Sequence, residues 1–174
     1  EEALNQLNAV LSTLNYLQHL SLNFCQKDPR LGFNKQGRLE YSFGWGKISD
    51  EGLNHFKNSL MALRSLQHLS LGFSRCKEIS NEGLKHLKNG LVNLTSLLHL
   101  SLNFRECDKI SDEGVSHLKT VITPLTNLQE LSLDFSHCKE ISNEGLNHLK
   151  NALTALRYLQ RFTLNLECTR ISDE

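Results

Sequence analysis

Apolar residues alternate with polar ones through Leu69, Leu71 and Phe73, with His68, Ser70 and Gly72 at the polar positions. A period of two predicts a short strand with one buried face. Farther along, the apolar spacing changes to threes and fours at Leu84, Leu87, Leu91 and Leu94, which predicts a helix with one apolar stripe. Ser80-Asn81-Glu82-Gly83 lies between the two. There Ser80 or Asn81 can accept a bond from the first free helical N–H groups, and Glu82 sits favourably near the positive helix end. In the next copy Pro124 predicts a helix that ends by Ile122, because the residue before proline avoids the helical region.

The same succession returns every 31 residues, as Leu69, Leu100, Leu131 and Phe162 show. Leu20 belongs to this column but stands 49 positions before Leu69, so the first unit carries 18 extra residues. A fixed period of this length is the mark of a solenoid. Repeating one strand-to-helix step lays successive strands side by side in parallel and stacks the helices behind them. Strands space at about 4.8 Å and packed helices at about 8–10 Å, so the array must curve with its sheet inside. The expected fold class is therefore an α/β solenoid, a right-handed horseshoe with a parallel concave sheet and helices on the convex side. It is read as a single array over residues 1–174, with about five 31-residue units and an insertion at about 25–47. The start, Glu1-Glu2-Ala3-Leu4, aligns with Asp50-Glu51-Gly52-Leu53, and the end, Ile171-Ser172-Asp173-Glu174, stands where another helix would begin. Both ends cut the pattern rather than cap it, so the chain is expected to be a piece of a longer protein.

The stretch from Cys76 through Ile79-Ser80-Asn81-Glu82-Gly83 to Leu84, with its counterparts Cys107 to Val115 and Cys138 to Leu146, resembles the cysteine-containing class of leucine-rich repeats. The Ile-Ser-Asp-Glu-Gly wording also resembles repeats of the ribonuclease-inhibitor class. The unit is longer than usual for the cysteine-containing class, with Ser74 and Arg75 added before the cysteine and a lengthened helix segment. Well-known members of that class carry an F-box that recruits a ubiquitin ligase; the resemblance implies substrate recognition in such a ligase as one alternative, although no F-box segment is visible here.

Composition narrows the function classes. The chain holds 35 leucines against one Met and one Trp, as expected when one slot pattern is copied. Its formal net charge is zero, which gives no field to gather nucleic acid or acidic membranes. No apolar run approaches a membrane-spanning length, so no membrane partner is expected. Cys25, Cys76, Cys107, Cys138 and Cys168 occur one per unit at nearly the same slot. Their odd number and even dispersal argue against a disulfide framework and predict a column of small buried thiols in a reducing compartment, the cytoplasm or nucleus. Short-range clusters such as Cys-x-x-Cys are absent, so neither a metal nor another cofactor is expected.

Candidate binding residues are those that break the repeat. One strand slot runs His19, His68, His99, Glu130, Arg161 and points, by alternation, out of the concave face. The serine column Ser21, Ser70, Ser101, Ser132 and Thr163 hardly varies, whereas the column from Asn23 to Asn165 and the loop pairs Ser74-Arg75, Arg105-Glu106 and Ser136-His137 do. His55, His86, His117 and His148 lie off the leucine stripe on the helices and read as partly exposed surface. In the insertion, Phe33, Tyr41, Phe43 and Trp45 accompany Lys27, Arg30, Lys35, Arg38 and Lys47. Asn34-Lys35-Gln36-Gly37 is a turn signal for a small hairpin. Aromatic and arginine side chains are usual interface anchors, while the alternative is a loop folded back over the rim of the sheet. Stacking of single-stranded nucleic acid is not expected from so small a basic excess. No nucleophile elbow, phosphate loop or His-Glu-x-x-His helix is present. The expected function is a non-enzymatic scaffold that binds a protein partner through Arg38, Tyr41, Trp45, His68, His99, Glu130 and Arg161. A structural place in a larger complex is the other alternative.

Overall fold

The computed structural model describes residues 2–25, 30–33, 39–42 and 48–172. Five helices, α1 (Glu2–Leu11), α2 (Asp50–Ala62), α3 (Asn81–Leu91), α4 (Asp112–Ile122) and α5 (Asn143–Leu153), run along one side of the sheet among these residues. The strands are β1 (His19–Asn23), β2 (Arg30–Phe33), β3 (Leu39–Ser42), β4 (His68–Gly72), β5 (His99–Asn103), β6 (Glu130–Asp134) and β7 (Arg161–Asn165). They form one sheet in the order β2-β3-β1-β4-β5-β6-β7. From β1 to β7 every pairing joins equivalent residues: Leu20 faces Leu69, Leu69 faces Leu100, Leu100 faces Leu131 and Leu131 faces Phe162. Each helix packs on the next in sequence. The fold is an α/β solenoid.

The insertion contributes to this sheet. β2 and β3 pair antiparallel as a hairpin, and β3 lies parallel to β1 on its outer edge. Tyr41 stands in register with Leu22, and Glu40 with Ser21.

The core follows from alternation. Leu69, Leu71 and Phe73 are buried, as are Leu84, Leu87 and Leu91 of α3, so strand and helix leucines meet between the layers; Leu94, expected on the helix, is buried beyond its end. Burial of this kind stabilises each side chain by about 1.5–3 kcal/mol. Phe24, Phe73, Phe104 and Phe135 stack along the array with centroids 5.1, 5.2 and 5.5 Å apart. Thus the core is ordered in columns, each residue packing on its own copy one repeat away. The helix before Pro124 ends at Ile122, but the proline is not the cause: Thr123 keeps helical dihedrals (φ −53°, ψ −44°), and α3 and α5 end at the equivalent Leu91 and Leu153 with no proline.

The cysteine column is shorter than the repeat suggests. Cys76, Cys107 and Cys138 are fully buried, Cys25 is half-buried and Cys168 is exposed. Cys25 directly follows Phe24, whereas Cys76 stands three residues after Phe73. The last loop loses one residue, placing Cys168 three residues after Asn165 where Cys138 stands four after Asp134. Register, not residue type, decides burial here. The Cys107 and Cys138 thiols donate to the Phe73 and Phe104 carbonyls of the preceding unit, at 3.1 Å each. Burial pushes the Cys76 thiol up to about 12 and that of Cys138 to about 11.

Ser-Asp/Asn-Glu-Gly has two jobs, and the second was not expected. The N-cap of α3 is Ser80, whose Oγ accepts from Glu82 N–H at 3.2 Å. Asn81 instead reaches the next unit: its Oδ1 accepts from Ser111 and Gly114 N–H at 3.0 and 3.1 Å, and its Nδ2 donates to Ser111 Oγ at 2.8 Å. One unit later Asp112 accepts from Ser142 N–H, Ser142 O–H and Gly145 N–H at 2.8, 2.6 and 2.9 Å. Asp50 holds Ser80 in the same way. Ser111, to whose hydroxyl Asn81 donates, makes no side-chain cap bond to its own helix, whereas Ser80 and Ser142, whose hydroxyls donate to Asp50 and Asp112, do. The clasp also explains its glycine: a Cβ at Gly114 would sit 2.7 Å from Asn81 Oδ1.

Candidate functional site

Parallel pairing in equivalent register brings the variable strand slot into one row. His19 faces His68, His68 faces His99, His99 faces Glu130, and Glu130 faces Arg161. The spacing of adjacent strands is close to that of stacked rings, and the imidazoles use it. His19 and His68 stack at 4.0 Å with planes 20° apart; His68 and His99 stack at 4.1 Å and 15°. Rings stacked this way point their in-plane nitrogens sideways, so they do not converge on a common point. The row ends in charge. His99 Nδ1 lies 3.1 Å from Glu130 Oε2, and Arg161 donates to Glu130 Oε1 at 2.5 Å. The hydrogen bond from His99, helped by the Arg161 charge, holds the Glu130 carboxyl below its ordinary value.

A groove of about 270 Å³ runs along this row, floored by the serine column and walled by the imidazoles, Glu130 and Arg161. His68, His99, Glu130 and Arg161 are thus gathered on one surface. Trp45 and Arg38 lie outside the described residues. Tyr41 is carried by β3, the strand next to the one that bears His19.

Several variable positions have structural tasks. Asn103, Asp134 and Asn165 turn the chain at the strand end, their Oδ1 atoms accepting from Arg105, Ser136 and Glu167 N–H at 2.9, 2.9 and 3.1 Å. Arg75, Glu106 and His137 occupy left-handed backbone positions. From there their N–H groups reach the Arg105, Ser136 and Glu167 carbonyls of the following unit, at 2.8, 2.9 and 2.7 Å. On the same loops charges alternate in sign between units. Lys77 pairs with Asp108 at 2.6 Å, Lys109 with Glu78 at 3.0 Å, and Arg170 with Glu140 at 3.1 Å. The signal was present in the sequence, because Asp50, Asn81, Asp112 and Asn143 alternate on the same rhythm, in a double period of 62. Of the helix histidines, His55 is exposed beside Glu51 at 2.7 Å, while burial lowers the His117 imidazole's proton affinity.

A leucine-rich repeat family model matches residues 93–119 and 126–149, which cover β5 with most of α4 and then β6 with most of α5. The two units it covers are similar to leucine-rich repeats, and the strands on either side pair with them in equivalent register. Arrays of leucine-rich repeats commonly serve as protein-interaction scaffolds. No match is found among curated proteins. Among the described residues, no helix is long and apolar enough to cross a membrane.

Proposed function

We propose that the array is a non-enzymatic scaffold that binds a protein partner along the row His68, His99, Glu130 and Arg161, with Arg38, Tyr41 and Trp45 of the insertion as further anchors. The observation that supports this reading most is the contrast within the sheet. The core slots copy one another, whereas the open-face row passes from stacked imidazoles to a carboxylate and then a guanidinium. A row of this kind offers a partner flat ring edges, a hydroxyl floor and one oriented ion pair, which favour specificity over bulk affinity. The leucine-rich repeats supply rigidity, so little ordering cost falls on the scaffold when it binds.

The test compares proteins captured by the wild-type chain with those captured by two surface variants. Glu130→Ala/Arg161→Ala alters the open face, while His55→Ala/Glu51→Ala alters an exposed helix. A partner retained by the helix variant and lost with the open-face variant supports the reading. Equal capture by both would overturn the open-face assignment. Trp45→Ala/Arg38→Ala reports separately on the insertion.

A further inference from the structure

Three groups of ligand type meet on the loops that follow β6 and β7, away from the open-face row. His137 offers an imidazole nitrogen, Glu167 a carboxylate oxygen and Cys168 a thiol sulfur, and these atoms lie within 4.8 Å of one another. His137 is half-buried; Glu167 and Cys168 are exposed. The grouping is a product of register. Arg75, Glu106, His137 and Cys168 occupy the same left-handed slot in four successive loops. The first two hold an ion pair, with Arg75 Nε 3.0 Å from Glu106 Oε2. At the last step the slot carries imidazole and thiol instead, because the shortened loop moves Cys168 out of the buried column. The two loops are joined by His137 N–H, which donates to the Glu167 carbonyl at 2.7 Å, while within the second loop Glu167 N–H donates to Asn165 Oδ1 at 3.1 Å.

We propose that His137, Glu167 and Cys168 form a binding site for a divalent transition-metal ion of zinc's class. Thiolate and imidazole together select borderline and soft ions, whereas magnesium and calcium take oxygen ligands. Metal–ligand bonds of about 2.0–2.3 Å place tetrahedral ligand atoms roughly 3–4 Å apart, so modest side-chain rotation closes the observed grouping around an ion. Thiolate and carboxylate balance the two positive charges. The thiol proton leaves to solvent on binding, so affinity rises with pH while the thiol is protonated. With three protein ligands from two loops and two of them exposed, the fourth position is open to solvent, as in sites that exchange their ion or bind a further ligand.

Cobalt(II) is the probe, titrated into the reduced, metal-free chain. The expected result is a thiolate-to-cobalt charge-transfer band that saturates at one ion per chain and is bleached by zinc. Cys168→Ser should abolish the band, and His137→Ala and Glu167→Gln should each weaken binding by about tenfold or more. Cys25→Ser should leave it intact. No band in the wild-type chain would overturn the proposal. So would a band that survives Cys168→Ser, or cobalt affinity unchanged in His137→Ala and Glu167→Gln.

Discussion

Gly114 has room for no side chain, because Asn81 of the preceding unit occupies the space a Cβ would need. Gly114→Ala should therefore open the clasp and destabilise the chain by about 1–3 kcal/mol in urea unfolding, through lost hydrogen bonds and steric strain. Asp112→Asn should cost about 0.5–1 kcal/mol, because an Asn in that slot leaves the next serine without its cap bond, as Asn81 leaves Ser111. The amide at Asn81 already shows how an Asn serves that slot by reversing one hydrogen bond. Thiol labelling gives an independent check on register. Cys168 should react first, Cys25 more slowly, and Cys76, Cys107 and Cys138 only on unfolding, since burial excludes reagent and raises their thiols. The buried leucines were legible from spacing alone, whereas the fate of Cys25 and Cys168 was not. A one-residue change in loop length moves a side chain to a different environment without altering its type.

Between units, contacts run from each residue to its copy or to a complementary partner. Phe104 stacks on both Phe73 and Phe135, so Phe104→Ala should cost about 3–5 kcal/mol and loosen the coupling between neighbouring units, seen as a broadened unfolding transition. The loop charges set a second rule. Asp108→Lys/Lys109→Glu would make one unit match both neighbours in sign. It should lower stability by about 0.5–1 kcal/mol at low salt, and the loss should shrink in 1 M salt, where the screening length falls to about 3 Å. Strand, helix and parallel order could be read from the 31-residue period because core packing repeats on it. The clasp and the loop charges repeat on twice that length, so a single unit viewed alone hides them. The open-face row was legible because strand alternation fixes which face each residue takes. Its stacking was not, since ring orientation depends on neighbours across the sheet.

At the scale of the whole molecule, buried thiols link stability to pH. Cys76 and Cys138 keep their protons to about 12 and about 11, against 9.0 for a free thiol. Above pH 9 the unfolded chain therefore holds fewer protons than the folded one, and stability falls as pH rises through that window. Urea midpoints at neutral pH and at about pH 10 should show the decline, and Cys76→Ala/Cys138→Ala should reduce its slope. The hairpin has a different consequence. β3 occupies the edge of β1 on which an equivalent strand from another array would otherwise pair in leucine register, and β2 outside it runs the opposite way. Head-to-tail polymerisation requires the front of one copy to accept the back of another through the same contact, repeated without closure. Here the strand at that edge, β2, is reversed. A second array meeting this edge would therefore pair antiparallel to the repeat strands, outside the leucine register that joins the units.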